Sequence, residues 1–316
     1  MLKNHVLVYI RGPTRFVVDY PITLVCPAQN ESSWVEISIR SIIEFVDELI
    51  FIDDNSLDET LEIVKSLSSE YPNINILEAP DVIGRDRFSS IFNMGFSEAK
   101  NNWVMNWAGD IVAFTEGKFA IQNLFEKALE NEDEWDSIVY KTPNLAGDIY
   151  HQPKGKELSA GEPYLVKKGH MHFGAYVDSK HGHPDNRFPK DGTRFCWTHK
   201  EHHFLHLNTI KPLEKLAYRV NMGKYLLRER EYNDMGYWEW YPNYLRGMKD
   251  PVSPDEVEKR KEELISQVRN TPRELVPYDS DTFGKHPKIL IDSEIWKNYK
   301  IIERDDGLFT LDYPTI

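Results

Sequence analysis

The sequence predicts an α/β fold with a mostly parallel central sheet and a helical C-terminal extension. Short apolar runs alternate with amphipathic segments through the first 115 residues, and these runs stop at polar or acidic clusters. Alternation of this kind marks βαβ units, whose crossovers are right-handed and whose sheet is parallel. No run of about 18 apolar residues interrupts the pattern, so no membrane-spanning helix is expected.

The elements follow in order. Thr23-Leu24-Val25-Cys26-Pro27 reads as a buried strand running into Gln29-Asn30-Glu31. Ser33-Trp34-Val35-Glu36 has the Ser-x-x-Glu spacing of a capping box, and Ile39, Ile42, Ile43 and Val46 continue at helical spacing, which predicts a crossover helix. Leu49-Ile50-Phe51-Ile52 is a second strand, ending in Asp53-Asp54-Asn55-Ser56. Ser56-Leu57-Asp58-Glu59 repeats the capping-box spacing, Leu61, Val64 and Leu67 form an apolar stripe, and Tyr71-Pro72-Asn73 ends that helix before a third strand over Ile74 to Leu77. Phe88, Ile91, Phe92, Gly95 and Ala99 make another helical face, Asn101-Asn102 a turn, and Trp103 to Trp107 a buried strand that stops at Ala108-Gly109-Asp110. In an open parallel sheet the ligand crevice lies outside the carboxyl ends of the strands, so these polar clusters are expected to face one pocket.

The chemistry of that pocket is bounded by what is missing. No Gly-x-Gly-x-x-Gly and no Gly-x-x-x-x-Gly-Lys-Ser/Thr follows any strand, which lowers the weight of hydride transfer and of P-loop phosphoryl transfer. Without a glycine cradle, a nucleotide diphosphate needs arginines or a metal ion to neutralise it. Arg85, Arg87 and Asp110 are the candidates, Asp110 as a hard oxygen ligand for Mg²⁺ or Mn²⁺.

Taken together, Pro27-Ala28-Gln29-Asn30-Glu31, Ile52-Asp53-Asp54-Asn55-Ser56-Leu57-Asp58-Glu59-Thr60, Arg87-Phe88 with Asn93, and Trp103 through Asp110 resemble the glycosyltransferases of family 2, which have the GT-A fold. The resemblance covers about the first 115 residues well and the rest loosely. It implies transfer of a sugar, with inversion, from a nucleoside diphosphate sugar (UDP- or GDP-linked) to a carbohydrate or other hydroxyl acceptor, assisted by a divalent metal, Mn or Mg. It further implies that Pro27, Gln29, Asn30, Glu31, Asp53, Asp54, Arg85, Arg87, Asn93, Ala108, Gly109 and Asp110 bind the nucleotide sugar, with the metal on Asp110. The chain departs from the family pattern at Ala108, which stands where the first Asp of Asp-x-Asp is expected. His206, on a strand-like stretch before Lys211, Lys215 and Arg219, sits where the resemblance implies a second metal ligand. Gly174-Ala175-Tyr176-Val177-Asp178 resembles the stretch that carries the catalytic base, which makes Asp178 the first candidate, with Asp185 and Glu201 as alternatives. An acceptor hydroxyl needs such a carboxylate within hydrogen-bond reach to take its proton.

Competing readings accompany these assignments. Asp53 and Asp54 could cap the helix that follows, and Arg85 or Arg87 could be a solvated loop charge. Eight histidines crowd residues 170–206, yet the two cysteines, Cys26 and Cys196, have no finger-like spacing, so a structural zinc is not expected. Tyr237-Trp238-Glu239-Trp240-Tyr241 with Tyr244 could stack on sugar rings, or pack a second hydrophobic cluster. Ala108 leaves room for a protein that binds a nucleotide sugar without turnover. A sugar-1-phosphate nucleotidyltransferase ranks lowest, because its glycine-rich loop and basic residue after the first strand are absent.

Composition sets outer limits. The 316 residues, 41% of them hydrophobic, suit one large domain or a domain with an appendage. The expected division is a GT-A-like domain over residues 1–250, its nucleotide-binding half at about 20–115 and its acceptor-side half at about 116–250, followed by an extension over 251–316. A net charge of −13 argues against a nucleic-acid backbone as partner. Met1-Leu2-Lys3-Asn4-His5 lacks the apolar core of a signal peptide, and two cysteines make no disulfide framework, so a cytoplasmic location is expected.

Overall fold

The computed structural model describes residues 7–10, 16–80, 87–159, 162–174, 186–198, 201–228, 235–247 and 252–315. Arg85, Asp178 and Asp185 lie outside the described residues. The elements of the first half are β1 (Leu7–Ile10), β2 (Phe16–Ala28), α1 (Val35–Arg40), β3 (Val46–Asp53), α2 (Thr60–Glu70), β4 (Ile74–Glu78), α3 (Arg87–Glu98), β5 (Trp103–Asn106) and β6 (Ile111–Ala113). There follow α4 (Ile121–Glu130), β7 (Ser137–Tyr140), β8 (His151–Pro153), β9 (Glu162–Lys167), β10 (Met171–Gly174), β11 (Asn186–Pro189), β12 (Phe195–Thr198) and β13 (Phe204–His206). The last part holds α5 (Leu213–Arg228), α6 (Tyr237–Arg246), α7 (Pro254–Asn270), β14 (Leu275–Pro277), β15 (Lys300–Glu303) and β16 (Phe309–Asp312).

The central sheet has the order β12-β7-β9-β5-β2-β3-β4, with β1 paired to β2. Strands β5, β2, β3 and β4 are mutually parallel. Strand β9 runs antiparallel between β5 and β7, and β12 is parallel to β7. The mostly parallel sheet is therefore as the apolar runs predict. Both faces are covered, which explains why Leu49, Ile50, Phe51 and Ile52 of β3 form a continuous buried apolar run instead of alternating. On one face Leu24, Leu49, Phe51, Trp103 and Met105 pack with Val35, Ile39 and Val64 of α1 and α2. On the other, Val25, Ile50 and Ile52 pack with Ile91, Phe92 and Phe96 of α3. Helix α3 lies so close that a Cβ at Gly95 would run into the Val25 side chain.

Two sequence expectations need correction. Helix α1 stops at Arg40, and Val46 begins β3 instead of continuing the helix. The Asn73 amide takes the carbonyls of Ile43 and Val46 at 3.2 and 2.8 Å, holding this stretch in a turn that feeds the strand. Neither capping box forms, because α1 starts after Trp34 and α2 after Glu59, each without a side-chain cap. The cap-like residues are used elsewhere, as described below.

A second hydrophobic cluster lies around α5, α6 and α7, where Leu213, Ala217, Tyr237, Trp240, Leu264 and Val268 are buried together. Tyr237 and Trp240 stand 5.7 Å apart between ring centroids, and Trp240 stacks on Tyr244 at 4.8 Å. The aromatic run thus packs a core, with Tyr237, Trp240 and Tyr241 buried. Strand β14 pairs with β8, the Tyr313 hydroxyl donates to the Gly147 carbonyl at 2.6 Å, and the Tyr299 hydroxyl to Ser33 Oγ at 3.1 Å. Among the described residues, no helix is long and apolar enough to cross a membrane.

Candidate active site

The cavity opens where the strand order predicts, at the carboxyl ends of β2, β3 and β5. It has a volume of about 620 Å³ and is lined by Pro27, Gln29, Glu31, Asp54, Asp110 and His206 among others. That size falls in the range of small-molecule sites.

Its floor is two loops sewn together. Asn30 and Asn55 both adopt positive φ, 54° and 56°, a conformation Asn tolerates better than other side-chain-bearing residues. The Asn30 amide donates to Ser56 Oγ at 2.9 Å and the Leu57 amide to Asn30 Oδ1 at 2.6 Å. The Glu31 amide donates to Thr60 Oγ1 at 2.7 Å, and the Ser32 amide to Asp58 Oδ2 at 3.1 Å. Ser56, Asp58 and Thr60 therefore satisfy the backbone of the neighbouring loop, the use to which the second supposed capping box is put. Gln29 Nε2 donates to the Asp54 carbonyl at 2.8 Å.

Asp54 is almost fully buried and paired with Arg87, whose Nη2 lies 2.7 Å from Asp54 Oδ1. Arg87 Nη2 also donates to the Asp54 carbonyl at 3.2 Å, so the first residue of α3 fixes the end of β3. Asp53 accepts from the Ser56 amide at 3.1 Å, which closes the loop. Asn93 is spent on structure, since its side chain donates to the Phe173 carbonyl at 2.7 Å and accepts from the Phe173 amide at 2.9 Å. Asn30, Asp53, Arg87 and Asn93 support the cavity from behind without lining it.

The third side comes from residues 106–110 and β13. Gly109 passes so near Glu31 that a Cβ there would stand 3.0 Å from the Glu31 Cβ, so glycine is what lets the two loops close. Strand β13 pairs antiparallel with β6, His206 opposite Ile111, which sets the imidazole beside Asp110: Nε2 and Oδ2 are 3.3 Å apart. The same Asp110 oxygen lies 3.0 Å from Lys211 Nζ, and Lys211 is also ion-paired with Glu31. Lys215 donates to the Gln29 carbonyl and sits 3.6 Å from Glu31 Oε1. Arg219 donates to the Asn208 carbonyl at 2.8 Å and lines the same cavity. Burial alone would raise the Asp110 pKa, but Lys211, His206 and Arg219 outweigh it and hold this carboxyl well below the usual range. Burial pushes the Lys215 ammonium the other way, downward, against the pull of Glu31. The first turn of α5, which carries Lys215, is closed by backbone carbonyls from the far end of the chain: the Leu213 amide donates to Pro314 at 2.9 Å and the Glu214 amide to Thr315 at 3.0 Å.

Residues 23–177 match the model of glycosyl transferase family 2. This segment is a family 2 glycosyltransferase domain. The match ends at the residue before Asp178. A search of curated proteins finds no match. Similar solved structures include S. aureus TarS 1–349 in complex with UDP-GlcNAc, at 13% identity and TM-score 0.41 over 91% of this chain and 95% of that one. A second is glucosyl-3-phosphoglycerate synthase from Mycobacterium tuberculosis, in complex with Mn²⁺, UDP and glucosyl-3-phosphoglycerate, at 16% identity and TM-score 0.38 over 66% and 79%. A third is the mannosyltransferase PcManGT from Pyrobaculum calidifontis with GDP-Man and Mn²⁺, at 12% and 0.41 over 79% and 70%.

Pro27, Gln29, Glu31, Asp54, Ala108, Gly109 and Asp110 of the family 2 domain, with His206 from beyond it, do meet at one cavity. Glu201, an alternative base, does not: its carboxylate binds Lys127 Nζ at 2.8 Å. Contact with His203 and then Lys127, against the effect of burial, lowers its pKa to about 2. The residues that sequence reasoning left without a role here are Lys211, Lys215 and Arg219. Lys215 and Arg219 share one face of α5, and their spacing of four, continued back to Lys211 just before the helix, is the signal that could have found them.

Proposed function

We propose that this chain is an inverting glycosyltransferase that moves a sugar from a UDP- or GDP-linked donor to a hydroxyl of a carbohydrate or other acceptor. The observation that carries the reading is the convergence of Gln29, Glu31, Asp54 and Asp110 on one cavity at the carboxyl ends of parallel strands. In this reading Gln29 and Asp54 face the nucleoside and the Asp110 corner faces the diphosphate. The acceptor oxygen bonds to the anomeric carbon as that carbon's bond to the diphosphate oxygen breaks. The hydroxyl proton passes to a carboxylate, for which Asp178 is the candidate, and the electron pair leaves on the nucleoside diphosphate. Attack from the face opposite the leaving group inverts the anomeric centre. Both described cysteines are free, in keeping with a reducing compartment such as the cytoplasm.

A divalent cation on Asp110 and His206 would complete the family pattern, and the donor set does not fit one. The described residues hold no group of three or more His, Cys, Asp or Glu side chains that could bind a metal. Lys211 Nζ already stands at the Asp110 oxygen. At an effective dielectric near 20, a divalent ion and a unit charge about 4 Å apart interact by on the order of 8 kcal/mol, so repulsion from the ammonium offsets attraction to the carboxylate. No step of the reaction is therefore routed through a metal.

The test is a panel of UDP- and GDP-sugars with hydroxyl acceptors, read as release of nucleoside diphosphate, with product configuration assigned by NMR. Acceptor-dependent release of one nucleotide and an inverted anomeric centre are expected, and Asp178→Asn should remove release while leaving nucleotide binding. Tight binding with no release from any donor and acceptor would turn the assignment to the binding-only alternative that Ala108 suggests.

A further inference from the structure

We infer that Lys211, Lys215 and Arg219 together take the place of the divalent cation at the donor diphosphate, Arg219 binding it and the two lysines supplying fixed charge behind; the inference rests on the nucleotide-sugar reading of the cavity. Three observations carry it. Lys211 is 2% exposed, and a lysine is rarely buried without a reason of charge. Its ammonium bridges Glu31 and Asp110, the two acids that border the corner where the Asp-x-Asp stretch ends. With Ala108 where the resemblance expects an acid and Lys211 Nζ 3.0 Å from Asp110, one carboxylate faces one ammonium at this corner, the same charge balance that two carboxylates would have with a divalent ion.

The surplus charge points toward the cavity. Lys211, Lys215 and Arg219 stand against Glu31 and Asp110, three cations to two anions, and all five line the same space. Lys211 is held by both acids and Lys215 by the Gln29 carbonyl and Glu31. Arg219 is exposed and donates to the Asn208 carbonyl, and no carboxylate among the described residues forms an ion pair with it. A guanidinium of this kind can bind two phosphate oxygens at once, and the lysines act as point charges behind it. Their positions, four residues apart, put the three groups along one side of the chain that enters and forms α5. A leaving diphosphate there would gain fixed positive charge as its bond to the sugar breaks.

The experiment is calorimetric titration of the full chain with UDP and with GDP, each in EDTA and in Mn²⁺. One nucleotide is expected to bind, with an affinity that Mn²⁺ changes by less than about threefold. Lys211→Gln and Arg219→Gln should each weaken that binding in EDTA by about tenfold or more. If Lys211→Gln fails to fold by circular dichroism, Lys215→Gln replaces it. Binding that Mn²⁺ tightens more than about tenfold overturns the inference and leaves the nucleotide reading standing. So does binding unaffected in the substituted proteins. No binding of either nucleotide with or without Mn²⁺ overturns the nucleotide reading itself.

Discussion

The two halves of the molecule assemble by different rules. From β2 to β4, consecutive parallel strands lie beside one another, joined by short helices, and β5 then returns to the other side of β2. From β6 onward, β10–β11 and β15–β16 still pair as neighbours, but the strands that complete the site's surroundings have distant partners: β13 returns to β6, β12 to β7, and β14 to β8. The lesson is that local periodicity finds elements whose partners are near in sequence. Elements chosen by distant partners leave no such mark. The site is built where the two kinds of region meet, its acids supplied by the first and its cations by the second.

The largest expected effect tests whether the second cluster stands apart from the first. Trp240→Ala removes a fully buried indole from among Tyr225, Tyr237 and Tyr244, and should destabilise by about 3–5 kcal/mol. Urea unfolding followed by far-UV and near-UV circular dichroism checks it. Separate transitions would mean that the clusters unfold independently, and one coincident transition that they share a single cooperative unit.

Next comes Arg87→Ala in the first region, which leaves the buried Asp54 carboxylate without its guanidinium. Breaking a pair of this kind costs about 3 kcal/mol or more, reduced here because Arg87 is partly exposed. Thermal melting would show the loss. An unchanged midpoint would show that Asp54 draws its support from the loop alone.

The smallest effect is at the sheet edge of the second region. Contact with Arg194, assisted by Lys167 and His170 and opposed by burial, holds Asp136 well below the usual carboxylate range. A depressed folded pKa stabilises above the unfolded value of about 4 and is lost as pH falls below it. The melting difference between the natural protein and Asp136→Asn should therefore be present at neutral pH and shrink on acidification below about pH 4. A difference that stays constant with pH would sever Asp136 from this role.

The same contrast explains what was legible. Strands β2, β3, β4 and β5 stand where the apolar runs place them, and the family motifs lead to Asp54, Asp110 and His206. Helix α1 was overextended because Ile42, Ile43 and Val46 are apolar for the sheet core and not for a helical stripe. The Ser-x-x-Asp/Glu spacings looked like caps because a hydroxyl or carboxylate that binds a backbone amide leaves the same trace whether that amide is its own helix's or a neighbouring loop's. Antiparallel β9, inserted between β5 and β7, was invisible because nothing within Glu162–Lys167 specifies its neighbours. Lys211 was seen only as part of a basic stretch, since its partners Glu31 and Asp110 are identified by the fold and not by spacing.

The Lys211–Glu31 pair joins positions 180 residues apart. A ribosome therefore makes the acids of this crevice long before the bases that neutralise them, and the first turn of the helix that follows Lys211 is closed later still, by carbonyls of Pro314 and Thr315. Closing so long a loop adds little entropy beyond that of a shorter one, because the penalty grows only with the logarithm of length. What the separation changes is timing: the sheet can form early, whereas the charge balance of its crevice is among the last properties the growing chain acquires.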